Sequence, residues 1–320
     1  MTFQVTRRLS LDDHNLKLAE DLRVGLLSSP RWISPIWFYD ERGSELFEEI
    51  TKLPEYYPTA RENEILTAFA DEIVQLANCD TLIELGAGSA EKSHELLGAM
   101  ARSTSLRHFV AVDVSEEMLV TSTKAIQSSF GIAVTALVAD FSADLALLPR
   151  SGRRLITLMG GTIGNFEPTA RRAFFVQLRD AMGPEDALLV GTDLVKDRAR
   201  LEAAYNDSLG VTAAFNRNAL VAINDAYNAN FDADAFEHVA FFDETHHWIE
   251  MRLRSLRPQR VVVGALSLTF DLAPGEDIRT EISTKFTPRG IEAEFADVGF
   301  RVVREFRDPA DDFQLTLARL

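Results

Sequence analysis

The sequence has a single cysteine, Cys79, in 320 residues, so an internal disulfide is excluded and a reducing compartment is expected. No apolar run approaches membrane-spanning length, and no N-terminal apolar stretch is typical of a signal peptide, so we expect a cytoplasmic protein without a membrane partner. Lys and Arg form no cluster and the formal net charge is −16, which argues against nucleic acid as a partner. The adjacent His246 and His247 would point to opposite faces of a strand, so no metal is expected.

Residues 81–93, TLIELGAGSAEKS, carry the most informative motif. An apolar strand runs into Gly86 and Gly88 and then into helix-favouring residues, which is typical of the first strand-turn-helix of a nucleotide-binding sheet. A dinucleotide site would need a third glycine where Glu91 stands, and this disfavours a nicotinamide-dependent oxidoreductase. Glu84, two residues before the first glycine, is more typical of S-adenosylmethionine sites. A strand-turn-helix without a ligand remains the alternative from this motif alone.

Strands and helices alternate five times between residues 61 and 195, which predicts a doubly wound, mostly parallel, Rossmann-like α/β sheet. Residues 196–286 change to two helices followed by strands of period two, which predicts an inserted α+β domain. The α/β alternation returns at residues 287–320, which we assign to the end of the sheet.

Local signals also predict some boundaries. Ser44 is expected to cap a helix that ends at Ile50, and two prolines predict a loop at residues 53–59, before a helix at residues 61–77. The alternation of residues 261–272 predicts one half-buried strand.

Acidic residues close the two strands that follow the glycine motif. Asp113 could accept the hydroxyls of a ribose, and Asp140 with Phe141 could bond an adenine amino group and cover its ring. Each acid could equally be an ordinary cap or loop residue. The glycine-rich residues 160–164 end the next strand, where ligands bind in open α/β sheets. Glu281 and Ser283 share a face of an extended segment, a weak signal alone because such pairs usually face solvent.

No nucleophile elbow and no phosphate-binding loop motif is present. A nucleoside-binding sheet with an aromatic second domain suits methyl transfer from S-adenosylmethionine to a small substrate, because the sulfonium already activates the methyl group.

Several blocks carry a much more specific signal: WFYDERGSELFEEITKLPEYYPT, IELGAGSAEKS, GGTIGNFEP, GTDLVKD, GVTAAFNRN, DAFEHVA and EISTKF. From about Trp37 to the C-terminus the chain resembles the L-histidine Nα-methyltransferases of ergothioneine biosynthesis. The resemblance implies a class I methyltransferase domain, with residues 1–60 and the insertion forming a second, substrate-binding domain. It also implies that S-adenosylmethionine trimethylates the α-amino group of free L-histidine, giving hercynine in the first step of that pathway. We expect a monomer.

The resemblance also implies site residues. The S-adenosylmethionine contacts of the family fall on Gly86, Lys92, Asp113, Asp140 and Phe141, with Lys92 on the methionine carboxylate. The histidine contacts fall on Asn165 and Tyr205 for the amino and carboxylate groups, Tyr56, Glu281 and Ser283 for the imidazole, and Met251 for packing. Tyr39 is expected near the reacting nitrogen, as the catalytic residue. The alternatives are methylation of another small aromatic amino acid and a non-catalytic S-adenosylmethionine sensor.

Overall fold

A computed structural model describes residues 2–8, 11–143 and 145–320, with residues 11–13 described by their backbone alone. Residues 1, 9, 10 and 144, which belong to the predicted segments 1–60 and 61–195, lie outside the described residues. The helices in the described part are α1 Leu11–Leu27, α2 Glu41–Ile50, α3 Tyr57–Ala77, α4 Ser93–Arg102, α5 Glu116–Phe130, α6 Pro168–Ala181, α7 Arg198–Tyr205, α8 Val211–Tyr227 and α9 Pro288–Asp297. None of the helices in these ranges is both long and apolar enough to cross a membrane.

The strands are β1 Phe3–Arg7, β2 Arg31–Trp32, β3 Thr81–Leu85, β4 His108–Asp113, β5 Ala133–Val138, β6 Arg154–Leu158, β7 Ala187–Asp193, β8 Phe236–Asp243, β9 Trp248–Ser255, β10 Gln259–Val263, β11 Leu268–Leu272, β12 Asp277–Thr284, β13 Arg301–Arg307 and β14 Phe313–Arg319. Short 3-10 helices span Pro35–Phe38, Leu145–Leu147, Thr162–Asn165, Ala233–Ala235 and Gly264–Leu266.

The chain divides into two compact units. Unit 1 comprises Met1–Ser10, Pro58–Val195 and Phe286–Leu320, and unit 2 comprises Leu11–Tyr57 and Lys196–Lys285. Each unit has its own apolar core: two clusters in unit 1, which contain residues from alternate faces of its sheet, and one cluster in unit 2. The roles predicted for these segments, cofactor binding and substrate binding, stay predictions.

An eight-stranded sheet in the order β1-β5-β4-β3-β6-β7-β14-β13 forms the centre of unit 1. The first six strands in this order, β1-β5-β4-β3-β6-β7, pair in parallel. The strand β14 pairs antiparallel with both β7 and β13. Every residue of β3 and β6 is buried, because helices cover both faces of such a sheet. The strand order reverses between β3 and β6, and this confirms the predicted doubly wound fold. The carboxyl ends of these strands form the crevice in which such sheets bind ligands.

Residues 3–7 correct the assignment of residues 1–60 as a whole to the substrate domain. They form β1, which pairs in parallel with β5, Phe3 opposite Val134. The physical reason is a short period-two pattern, since Phe3 and Val5 both pack against the core of unit 1.

Unit 2 contains a four-stranded sheet in the order β2-β12-β9-β8 and a separate hairpin of β10 and β11. The hairpin corrects the single strand predicted for residues 261–272. A 3-10 turn interrupts the segment at Gly264–Leu266, and Ser267 follows with φ of +50°. Both strands alternate with a period of two, but the buried positions change from odd-numbered in β10 to even-numbered in β11, and the single-strand prediction overlooks this shift.

Two helix starts also differ from the sequence prediction. Asp40, rather than Ser44, caps α2, since its Oδ1 accepts a hydrogen bond from the amide of Gly43 at 2.7 Å. The helix α3 starts at Tyr57, inside the predicted loop of residues 53–59. Pro58 is tolerated there because the amides of the first helical turn have no intrahelical acceptor.

Candidate active site

The turn after β3 has the geometry of a ligand-binding glycine turn. Gly86 and Gly88 have φ of +68° and +50°, values that favour glycine. The amide of Gly86 donates to the carbonyl of Val112 at 2.9 Å, which fixes the turn to the end of β4. A Cβ added at Gly86 would lie 3.2 Å from Cε1 of Phe141, so the Phe141 ring lies directly against this turn.

Asp113 and Asp140 are held at the ends of β4 and β5. The two carboxylate oxygens of Asp113 accept from the amides of Gly88 at 3.0 Å and Ser115 at 2.9 Å. Oδ1 of Asp140 accepts from the amide and the hydroxyl of Ser142, at 2.9 and 2.6 Å. Both acids are partly exposed, and a carboxylate offers about four acceptor sites. Each side chain is therefore fixed in orientation, and Asp113 retains acceptor capacity for a hydroxyl group.

Lys92 belongs to an ion pair that the sequence did not indicate. Its Nζ lies 2.6 Å from Oε2 of Glu62, a residue of α3 that is fully buried. Both carboxylate oxygens of Glu62 also accept from the amide of Gly160, at 2.9 and 3.0 Å. The carboxylate thus connects the loop after β3 with the glycine-rich loop after β6.

Glu84 lies beneath the glycine turn as a buried acid. The hydroxyl of Ser93 donates to its Oε2 at 2.7 Å. Burial raises the pKa of Glu84 to about 8, and the bond from Ser93 and the charge of Lys92 counteract this only in part. Glu84 is therefore mostly protonated at neutral pH and supports the turn without adding a full negative charge.

Asn165 ends the 3-10 helix Thr162–Asn165, which follows β6. The turn begins at Gly161, with φ of +69°, and the amide of Gly164 donates to the Gly161 carbonyl at 2.9 Å. Asn165 itself is half-buried. The parallel pairing places Asn165 and the five predicted cofactor residues at the carboxyl-terminal edge of unit 1, after β3, β4, β5 and β6.

In unit 2, the side chains of Tyr205, Ser283 and Lys285 form one polar cluster, although the resemblance implies different roles for Tyr205 and Ser283. The hydroxyl oxygens of Tyr205 and Ser283 are 2.8 Å apart. Nζ of Lys285 donates to both, at 2.9 and 2.8 Å, and lies 4.6 Å from the centre of the Tyr205 ring. All three side chains are at most 9% exposed. A buried ammonium beside two hydroxyls is a donor-rich cluster, which suits a carboxylate.

Glu281 and Met251 are directly opposite each other in the antiparallel pair of β12 and β9. Their side chains therefore lie on the same face of the sheet, and Ser283 shares that face two residues along β12. Met251 is 1% exposed, whereas Glu281 is partly exposed. The shared face predicted for Glu281 and Ser283 is confirmed.

Aromatic rings connect the remaining predicted residues of unit 2. Tyr39 contacts Phe47 edge to face with ring centres 5.8 Å apart, and Phe47 contacts Tyr56 in the same way at 6.1 Å. Tyr56 in turn contacts Tyr205 at 6.3 Å. Tyr39, at one end of this aromatic series, is 48% exposed.

Two residues of these clusters were missed from the sequence. Lys285 continues the alternation of Glu281 and Ser283 by two more residues, so the period-two pattern could have found it. Glu62 had no such signal, because its partners are far away in sequence. Within the described ranges, no three His, Cys, Asp or Glu side chains are grouped to hold a metal ion. His246 instead bonds Asp243 at 2.7 Å and stacks on Trp248.

Comparison with known proteins decides the family. Residues 18–320 match the sequence model of a family described as histidine-specific methyltransferase, SAM-dependent. The chain belongs to this SAM-dependent methyltransferase family.

Two bacterial relatives of this family member match nearly its whole length, and a fungal relative matches most of it. It is 46% identical over 319 residues to histidine N-alpha-methyltransferase of Mycolicibacterium smegmatis and 47% identical to that of Mycobacterium tuberculosis, with 99% of each chain covered in both cases. It is also 29% identical to ergothioneine biosynthesis protein 1 of Neurospora crassa, covering 87% of this chain and 32% of the fungal protein.

The residues of unit 1 fit S-adenosylmethionine, the cofactor of the family. Gly86 leaves room for close approach, since a Cβ there would already crowd the Phe141 ring. Asp113 is oriented by two amides and can accept ribose hydroxyls, and Lys92 is the residue that would supply a cation for the methionine carboxylate. An ammonium has three hydrogens, so its pair with Glu62 leaves it able to bond a second anion.

Proposed function

We propose that this protein transfers methyl groups from S-adenosylmethionine to the α-amino group of free L-histidine, three times, to form hercynine for ergothioneine biosynthesis. The names of the two mycobacterial relatives support the substrate and the nitrogen, and the name of the fungal relative supports the pathway. The observation in the structure that carries the proposal is the buried cluster of Tyr205, Ser283 and Lys285, because it provides donors for the carboxylate of an amino acid.

The proposal departs from the resemblance at one residue. The resemblance implies that Ser283 binds the imidazole with Tyr56 and Glu281, whereas the hydroxyl of Ser283 lies 2.8 Å from Nζ of Lys285, which supports a place at the carboxylate. In the proposal, Lys285, Tyr205 and Ser283 bind the substrate carboxylate. A charge-assisted bond to a buried ammonium is stronger than one between neutral groups, so this end of the amino acid would supply much of the binding.

In the proposal, Glu281 and Tyr56 bind the imidazole ring. Glu281 is partly exposed on the same strand face as Ser283, two residues or roughly 7 Å along the strand, so one small ligand could contact both. An imidazole N–H requires an acceptor, and a carboxylate provides one. Met251, opposite Glu281, supplies an apolar wall for the ring. A site that bonds both ring nitrogens rejects analogues without them more strongly than an apolar pocket does.

The chemistry requires a neutral amine. The cofactor supplies a methyl group on a sulfonium, which reacts with an uncharged nitrogen. A free α-amino group is largely protonated at neutral pH, so the protein must accept or relay its proton. Tyr39, a partly exposed residue whose ring packs against Phe47, is proposed for this role on the resemblance. The role of Asn165 on the amino group rests on the resemblance as well.

A panel of amino acids with methyl-labelled S-adenosylmethionine tests the proposal. We expect label in histidine, and far less in tryptophan, tyrosine or phenylalanine. Catalytic transfer to tryptophan at an equal rate would favour the alternative of a different aromatic substrate. Binding of the cofactor without any transfer would favour a sensor.

We also propose that the enzyme acts as a monomer in the cytoplasm. The lone, buried Cys79 and the absence of a disulfide suit a reducing compartment. Light scattering after size exclusion should give a mass near 35.7 kDa, and a mass near twice that value would contradict the monomer.

A further inference from the structure

Glu62 is a buried charge without a role in the chemistry proposed above. It lies on α3, its side chain is fully buried, and it pairs with Lys92 at 2.6 Å. A buried carboxylate is costly unless it is paired and hydrogen-bonded. Here the pairing partners are a proposed cofactor residue and the backbone of a loop.

Space for this carboxylate is provided by two glycines. A Cβ at Gly191 on β7 would lie 2.5 Å from Oε1 of Glu62, closer than Cβ atoms come to other heavy atoms in proteins. A Cβ at Gly160 would lie 3.1 Å from Nζ of Lys92. Gly191 in the sheet and Gly160 in the loop after β6 therefore both leave space that this ion pair fills.

The contact to Gly160 extends to the loop that ends at Asn165. Both oxygens of Glu62 accept from the Gly160 amide, at the start of the left-handed turn of Gly160 and Gly161. The 3-10 helix Thr162–Asn165 follows this turn without a break, closed by the bond from Gly164 to Gly161. Movement of the Gly160 amide would therefore be transmitted to Asn165.

We propose that Glu62 is a positioning residue that holds the Lys92 ammonium and the Gly160 amide in one fixed arrangement. Through Lys92 it supports binding of the methionine carboxylate of S-adenosylmethionine, and through Gly160 it supports binding of histidine by Asn165. This inference rests on the proposed function for its histidine part only. The part that concerns Lys92 requires no more than binding of the cofactor.

Calorimetry with S-adenosylhomocysteine, the stable product, tests the Lys92 part. Glu62→Gln keeps the size of the side chain and removes its charge, so we expect the Kd for S-adenosylhomocysteine to rise roughly tenfold, the effect of one charge-assisted hydrogen bond. In a Lys92→Met background the same change should alter the Kd less than about threefold, because the partner is gone. A full tenfold effect in both backgrounds would show that Glu62 does not act through Lys92.

Titration of histidine into the complex with S-adenosylhomocysteine tests the Gly160 part. Glu62→Gln should weaken histidine about tenfold with Lys92 present or replaced, since the contact to the Gly160 amide does not involve Lys92. Unchanged histidine affinity would overturn this part. If the unaltered protein binds S-adenosylhomocysteine but not histidine, the proposed function fails. The calorimetry of Glu62→Gln with and without Lys92 would still test whether Glu62 positions Lys92.

Glu64→Gln is the matched control. Glu64 lies on the same helix and pairs with Arg61 at the surface, with 44% of its side chain exposed. It should leave both affinities within about twofold, as expected for an exposed pair. Should Glu62→Gln fail to fold, Glu62→Asp keeps the charge but is too short to reach both partners, and it should show the same losses. A folded Glu62→Asp variant with normal affinities would refute the proposal.

Discussion

The cluster of Lys285, Tyr205 and Ser283 gives the most demanding prediction. Lys285→Met preserves length and apolar volume but removes the ammonium that donates to both hydroxyls, at 2.9 and 2.8 Å. The hydroxyls of Tyr205 and Ser283 keep their mutual bond at 2.8 Å, so the local fold should remain. What is lost is a charged donor for the carboxylate of histidine.

The expected magnitude follows from burial. Lys285 is 2% exposed, so water screens its interaction with a bound carboxylate very little. A hydrogen bond to a charged group contributes about 1.5–3 kcal/mol, which corresponds to a loss in histidine affinity of roughly ten- to a hundredfold. The affinity for S-adenosylhomocysteine should stay within about twofold.

Histamine, which lacks the carboxylate, makes the assay specific. The unaltered protein should bind histidine far more tightly than histamine, and Lys285→Met should remove most of that preference by weakening histidine alone. Lys196→Met is the control, because Lys196 likewise donates to a tyrosine hydroxyl, that of Tyr57 at 2.7 Å, outside the cluster. If Lys285→Met and Lys196→Met weaken histidine equally, or if the preference over histamine persists, the carboxylate assignment is refuted.

Further predictions concern the cofactor residues and pH. Asp113→Ala should weaken S-adenosylhomocysteine about tenfold or more and leave histidine little changed, and Asn165→Ala should do the reverse; calorimetry showing the opposite pattern would contradict the site map. Burial raises the pKa of Glu84 from 4.5 to about 8. Between pH 4.5 and about 8, the folded state therefore keeps a proton that the unfolded state loses. In this pH range the free energy of unfolding falls by up to about 1.4 kcal/mol per pH unit. Glu84→Gln should remove that slope, so its melting temperature relative to the unaltered protein should rise with pH up to about 8 and then level off. Turnover under limiting chemistry should increase from neutral to mildly alkaline pH, and a flat profile would exclude amine deprotonation as the control.

The parts of the fold that follow from local pattern could be predicted. The sheet was predictable because the apolar strand β3 runs directly into Gly86 and Gly88. Its ligand-binding edge was predicted from the acids at the ends of β4 and β5, because parallel strands end on the same side of a sheet. The alternation in β12 correctly placed Glu281 and Ser283 on one face.

The missed features depend on contacts between distant residues. The strand β1 forms because β5 offers it an edge, and nothing within FQVTR identifies that partner. Asp40 replaces Ser44 as the cap of α2 because the helix begins four residues earlier than the predicted cap implies, at a position where Asp40 also accepts a hydrogen bond from Asn218 at 2.7 Å. The pairing of Glu62 with Lys92 joins residues 30 positions apart, which no helix or strand period relates.

The most direct test of the central claim is the structure of the product formed from histidine and S-adenosylmethionine. Mass spectrometry should show the gain of three methyl groups, and nuclear magnetic resonance should place all three on the α-nitrogen with the imidazole unchanged. A methyl group on a ring nitrogen, or no methylated histidine from a protein that binds both molecules, would contradict the account.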